Sequence, residues 1–140
     1  MPLVFRVMEV ENAKPKLGDD TNMLGVRIPP HPHADIIPDA NNNVRPGIGG
    51  LSVAPNWRSL PAFLIPKRLN RIVNKARASN RLRCWRLGDG AFVDGKVADN
   101  LILRCDGATH GLIEPASEMS IDEFQQALAE TQDSWEIDEN

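Results

Sequence analysis

Two adjoining passages near the C-terminus limit the possible folds most: Ala108-Thr-His-Gly-Leu-Ile-Glu-Pro-Ala and Met119-Ser-Ile-Asp-Glu-Phe-Gln-Gln-Ala-Leu. The first reads as a strand over Thr109 to Glu114 that stops at Pro115, because proline has no amide hydrogen to give a ladder. In the second, Ser120 is followed three residues later by Glu123. That spacing is a capping box, in which each side chain answers an orphan backbone donor of a new helix. Ile121, Phe124 and Leu128, with Ala127 beside them, then mark one buried helical face. A strand, a short loop and a capped helix packing on a sheet are therefore expected in that order.

The remaining strands are shorter. Leu3 to Val10 is apolar at nearly every position and opens the chain as a strand. Leu24-Gly-Val-Arg-Ile is the one strand-like piece of a long polar segment from Asn12 to Pro46. Within that segment Pro29-Pro-His-Pro-His imposes extended backbone. A connection of this length is functional or disordered more often than it is an ordinary loop. Pro46-Gly-Ile-Gly-Gly is a turn into a short strand, Leu51-Ser-Val-Ala. Leu60 to Pro66, flanked by prolines, reads as a docked irregular piece. Lys67 to Ala78 has Leu69, Ile72, Val73 and Ala76 at helical spacing and is expected to be a basic helix. Arg81 to Leu87 alternates as a half-buried strand, and Asn100 to Cys105 is another, turning at Asp106-Gly107 into the strand at Thr109. The expected class is α+β: several short, mostly antiparallel strands with one or two packed helices in a single domain of 140 residues.

Composition narrows the function classes. A net charge of −3 favours neither a nucleic-acid nor a membrane binder in bulk. No apolar run is long enough to cross a bilayer and no signal pattern opens the chain, so a cytoplasmic protein is expected. Cys84 and Cys105 lie in apolar, strand-like runs and read as reduced, buried thiols. With no tyrosine, three Trp and four Phe must supply much of the large core volume. The charges, however, are segregated. Lys67 to Arg86 holds eight of the 16 Lys and Arg residues and no acid, whereas Glu114 to the C-terminus holds nine acids and no Lys or Arg. The basic run suits phosphate backbones, and it suits equally a solvated face paired with the chain's own acidic tail. The tail from Gln132 to Asn140 has the composition of a frayed end, although Trp135 argues for docking.

Few residues carry chemistry on their own. His31 and His33 are spaced as a metal pair, but no third ligand lies nearby, so no metal is assigned. His110 reads either as a neutral imidazole held by backbone or as a general base or ligand-orienting donor. The glycine cluster at Pro46 lacks the lysine and helix of a P-loop, and no nucleophile elbow is present.

Gly50-Leu-Ser-Val-Ala-Pro, Leu60-Pro with Ile65-Pro, the Phe5-Arg6 pair and Thr109-His-Gly-Leu-Ile-Glu-Pro-Ala with Met119 resemble a group of small bacterial toxins. These are the cytotoxic effectors of type VI secretion that have an ADP-ribosyltransferase-like fold. The similarity covers about the final two-thirds of the chain plus the first strand. It implies NAD as substrate, with ADP-ribose transferred or NAD hydrolysed through an oxocarbenium-like state. It implies Arg6, Ser52 and Arg27 as cofactor-binding residues, Arg6 forking onto phosphate or ribose oxygens. It implies Glu114, Ser52 and His110 as catalytic residues, Glu114 placing negative charge where positive charge develops. Read without the resemblance, Arg6 is a strand-edge cation facing water and Ser52 a turn hydroxyl bonded to nearby backbone. A second class of function is an interaction protein of a toxin–antitoxin or effector–immunity pair, docking through the acidic tail and the basic run. Nucleic-acid binding through residues 67–86 is the third.

Overall fold

The computed structural model describes residues 1–73 and 76–140. In chain order the strands are β1 (Val4–Glu11), β2 (Lys14–Pro15), β3 (Asn43–Val44), β4 (Leu51–Val53), β5 (Leu82–Leu87), β6 (Gly95–Ala98), β7 (Leu101–Cys105), β8 (Gly111–Pro115) and β9 (Met119–Ser120), followed by helix α1 (Ile121–Ala129) and β10 (Glu136–Ile137). They form one sheet of order β10-β5-β1-β2, a second of order β4-β8-β7-β6, and the small pair β3-β9. All of these pairings are antiparallel. The α+β expectation holds at this level: mostly antiparallel strands and one α-helix among the described residues.

The near-continuous apolar character of β1 follows from its position between two cores. Val4 and Met8 face a large cluster with Trp85, Leu51, Ile113, Phe124 and Leu128. Phe5 and Val7, on the opposite side of the pleat, face a smaller cluster with Trp57, Ile65, Leu69 and Cys84. A main-chain bridge between Phe5 and Ala54, with bonds of 2.8 and 2.9 Å, sets the end of β4 beside β1 and so joins the two large sheets. Gly50 is required just before β4, since a Cβ there would overlap the carbonyl of Ile113 on β8. All three tryptophans are buried. The Trp85 Nε1 donates to the Met8 carbonyl at 3.2 Å and the Trp135 Nε1 to the Thr131 hydroxyl at 2.9 Å, which meets the need of a buried indole for a partner.

Helix α1 begins as its sequence requires, with the Ser120 hydroxyl accepting from the Glu123 amide at 3.0 Å. The reciprocal half of the capping box is replaced by a side-chain contact, Ser120 Oγ donating to Glu123 Oε1 at 3.3 Å. Ile121, Phe124, Ala127 and Leu128 are its buried residues.

Three local expectations are corrected, and one strand appears where none is expected. Lys67 to Ala78 is not a helix: only Lys67–Leu69 forms a 3-10 turn, and Asn74 and Lys75 lie outside the described residues. The Lys67 amide bonds the Ala78 carbonyl at 3.0 Å, whereas a helix would hold these residues about 16 Å apart. Leu24 to Ile28 forms no strand. Leu24 and Val26 are buried, but Val26 pairs with a side chain, its amide donating to Gln125 Oε1 and its carbonyl accepting from Gln125 Nε2 at 3.0 and 2.8 Å. Thr109 and His110 belong to the β7–β8 turn, which the Asp106 amide closes onto the His110 carbonyl at 3.0 Å. Finally, β6 arises from Gly95-Lys-Val-Ala, a passage too short and polar to signal a strand alone.

The tail is docked, not frayed. Glu136 and Ile137 add to β5 as the sheet edge. Glu139 binds Arg83 at 3.0 Å and also Arg68, while Arg86 binds Glu136 at 2.7 Å and Asp138 at 3.1 Å. The long segment at residues 12–46 is irregular in path but anchored, with Leu24, Val26, Ile36 and Val44 in the large core.

Candidate functional site

Where β1 and β4 meet, the chain leaves a cleft of about 200 Å³. Its floor is the strand-borne pair Arg6 and Ser52. Leu60, Pro61 and Leu64 form an apolar wall, and Thr109 and His110 reach it from the β7–β8 turn. Leu60 to Leu64 follows one 3-10 turn, Trp57–Ser59, capped by Asn56, and contains a second, Ala62–Leu64, opened by Pro61.

Arg6 is the chemical centre of the cleft. Its Nη1 donates to the Ser52 carbonyl at 2.9 Å and its Nη2 to the Met23 carbonyl at 3.1 Å. A guanidinium has five donors, and the buried Nε has no protein partner. Burial lowers the Arg6 pKa to about 10, opposed by the charge of Asp35 and assisted by that of Arg27. The side chain remains a cation at neutral pH, with more donors than the protein uses. Ser52 lies opposite Leu112 in the β4–β8 pairing. His110 stands at the mouth, exposed, with Nδ1 2.6 Å from Asp106 Oδ1. A carboxylate at one ring nitrogen orients the imidazole and leaves the other nitrogen free.

Arg6, Ser52 and His110 are thus brought to one cleft from three distant parts of the chain. Arg27 and Glu114 are not. Arg27 makes a two-pronged pair with Asp35, Nε to Oδ2 at 3.0 Å and Nη2 to Oδ1 at 2.9 Å, and the hydrogen bond to Asp35 raises its pKa. Glu114 is fully buried on β8. Its Oε1 accepts from the Gly47 amide at 3.0 Å, and its Oε2 takes Arg104 Nε and Nη2 at 2.7 and 2.6 Å. Glu114 therefore ties the glycine turn to the second sheet, and no Asp or Glu is among the described residues lining the cleft.

Sequence reasoning missed Asn22, Ser59 and Asp106. Asn22 lies in a polar loop without periodicity. Asp106 carries a signal, a carboxylate four residues before a histidine across a glycine turn, which the sequence alone presents only as a turn. His31 lies 3.3 Å from Asp20, and among the described residues no group of three or more His, Cys, Asp or Glu is placed to hold a metal ion. No helix among them is long and apolar enough to cross a membrane. Comparison with family models, curated proteins and solved structures yields no match.

Proposed function

We propose that this chain is a small-ligand binding protein whose cleft takes an anionic group, and that it does not transfer ADP-ribose. One observation carries this reading. A guanidinium whose Nη1 and Nη2 each give one hydrogen bond to a main-chain carbonyl lines a mostly apolar pocket. An incoming carboxylate or phosphate oxygen that reaches the remaining Nη hydrogens therefore meets a charge-assisted donor in a setting that screens it weakly. Ser52 and the ring of His110 supply polar contacts beside it, and the apolar wall suits a ligand with a hydrophobic body.

NAD-dependent ADP-ribosyl transfer by a bacterial toxin of ADP-ribosyltransferase-like fold is the second reading. The gathering of Arg6, Ser52 and His110 favours it, since a cation and a hydroxyl then share one cleft. Against it stands Glu114: a carboxylate held by Arg104 and the Gly47 amide is not at hand for a ribose hydroxyl.

Titration calorimetry with NAD, ADP-ribose, nicotinamide, inorganic phosphate and a panel of aromatic carboxylates separates the two. The binding reading expects at least one anionic ligand to bind, Arg6→Gln to weaken it tenfold or more, and no nicotinamide to be released from NAD. Nicotinamide release that Ser52→Ala abolishes would establish the transferase reading. Absence of binding across the anions would remove the first.

A further inference from the structure

The basic run divides into two parts with different fates. Its later cations are neutralised within the chain: Arg83 and Arg86 by the acidic tail, together with Arg68, and Arg81 by Glu9 at 3.3 Å. Three of the earlier ones are not. Lys67, Arg71 and Arg77 are exposed, and so is Arg58, which stacks over the Trp57 ring at 4.6 Å. None of these four has a carboxylate partner among the described residues. Two large apolar side chains are exposed in the same stretch, Phe63 at 59% and Ile72 at 45%.

The main chain ties part of this stretch into a local platform. The Arg77 amide bonds the Ala62 carbonyl at 3.3 Å, and the Lys67 amide bonds that of Ala78 at 3.0 Å, so residues 62–67 and 77–78 run side by side. Ile65, Leu69, Ala76 and Ala78 are buried beneath them in the smaller core.

We infer that this platform, residues 58–73 with 76 and 77, binds single-stranded nucleic acid independently of the Arg6 cleft. Four cations without internal partners supply the phosphate contacts, and the Phe63 ring supplies a face on which a base stacks. An anionic membrane fits less well. Interfacial binding uses a long amphipathic helix with a continuous apolar face, and the described residues here form 3-10 turns with two separate apolar side chains. A protein partner fits less well too, because the core of a protein interface is depleted in charged residues, whereas this stretch exposes four cations beside two large apolar side chains.

Fluorescence anisotropy with labelled oligo(dT) and oligo(U) tests the inference on the full chain. Four phosphate contacts on a single strand predict that affinity falls about fiftyfold between roughly 50 and 200 mM salt. The triple variant Lys67→Gln/Arg71→Gln/Arg77→Gln, which leaves one contact, should keep only about threefold of that dependence. Phe63→Ala should weaken binding about tenfold without altering the salt slope. Lys96→Gln, a cation outside the platform, should change neither. Thermal melts of the variants should match wild type, because the altered side chains are exposed. The inference is overturned by no binding at the lower salt, by a triple variant that binds like wild type, or by equally tight capture on phosphatidylserine vesicles or polyglutamate.

Discussion

Arg6 on β1 donates from Nη1 to the main-chain carbonyl of Ser52 on β4 at 2.9 Å, so a side chain reinforces the junction that the Phe5–Ala54 bridge makes between the two large sheets. The same guanidinium reaches the Met23 carbonyl and thereby holds the long irregular segment against β1. Arg6 is therefore not a strand-edge cation facing water. It has a structural role as well as a place in the cleft.

Removing Arg6 should therefore cost stability as well as binding. Arg6→Ala strands two carbonyls, at about 1.5–3 kcal/mol for each bond to a charged group. Relief of the desolvated cation returns part of this, leaving a net loss of about 1–3 kcal/mol. Urea unfolding should show a lower midpoint at unchanged m, with Arg6→Lys falling between wild type and alanine. An unshifted midpoint for Arg6→Ala would mean that the two bonds do not hold the sheets together.

The Arg104–Glu114 pair is asymmetric, and its two halves should respond differently. Glu114 is buried while the Arg104 side chain is nearly half exposed. Arg104→Ala leaves a buried carboxylate with only the Gly47 amide, a situation that costs about 3–5 kcal/mol when a pair is broken inside a protein. Glu114→Gln leaves an arginine that can turn to water, and its amide oxygen still accepts from Gly47. The arginine variant should be the less stable by more than about 1 kcal/mol. Equal losses, measured by the same unfolding curves, would mean that Glu114 is better solvated than its burial implies.

Local chemistry made the strong elements legible. The Ser120 cap, the strand over Arg81 to Leu87 and the doubly apolar β1 could each be read because one short passage held the signal. Even so, β5 is not the half-buried strand that its alternation predicts: Leu82 and Cys84 enter one core and Trp85 and Leu87 the other. The basic helix failed for the opposite reason. Its helical spacing was real, but Leu69 and Ala76 are buried by a chain reversal that a contact between residues 67 and 78 imposes, and periodicity cannot register such a contact. The site divides in the same way. Arg6, Ser52 and His110 converge, whereas Glu114 and Arg27 are held by Arg104 and Asp35. Arg104 lies ten residues from Glu114 but directly across the pairing of β7 with β8 from Leu112. Partners fixed by register stay hidden until the sheet is known.

Glu139 should give the fold part of its acid sensitivity. Burial works against its ionisation and is the largest single influence, but the Arg83 hydrogen bond, the Cys84 amide and Arg68 together hold its pKa below the ordinary value. The unfolded chain then takes up a proton at a higher pH than the folded one, so acid favours unfolding. The stabilisation is complete above the ordinary glutamate value of about 4.3 and is lost as pH falls through the lower, folded value. Glu139→Gln should therefore melt below wild type at pH 6, and the gap should shrink below about pH 4. A gap that stays constant from pH 6 to pH 3 would show that Glu139 does not titrate with unfolding.

The two thiols should separate by reactivity. Cys84 is buried in β5 between β1 and the docked tail. Burial first, and the charge of Glu139 second, push its pKa up to about 12 against the opposing Arg68 and Arg83. Cys105, at the end of β7, is half-buried, with its pKa raised by burial and then by Asp94. Since the thiolate is the reacting species, both should be slow, but only Cys84 also needs the sheet to open. N-ethylmaleimide at pH 7.5, followed by mass spectrometry, should give a single adduct on Cys105. The second adduct should appear at the rate of global unfolding and accelerate with urea in proportion. Rapid labelling of Cys84 in native buffer would place the tail and β5 in a locally opening unit. The ion pairs of Glu136, Asp138 and Glu139 would then contribute little to holding β10 in place.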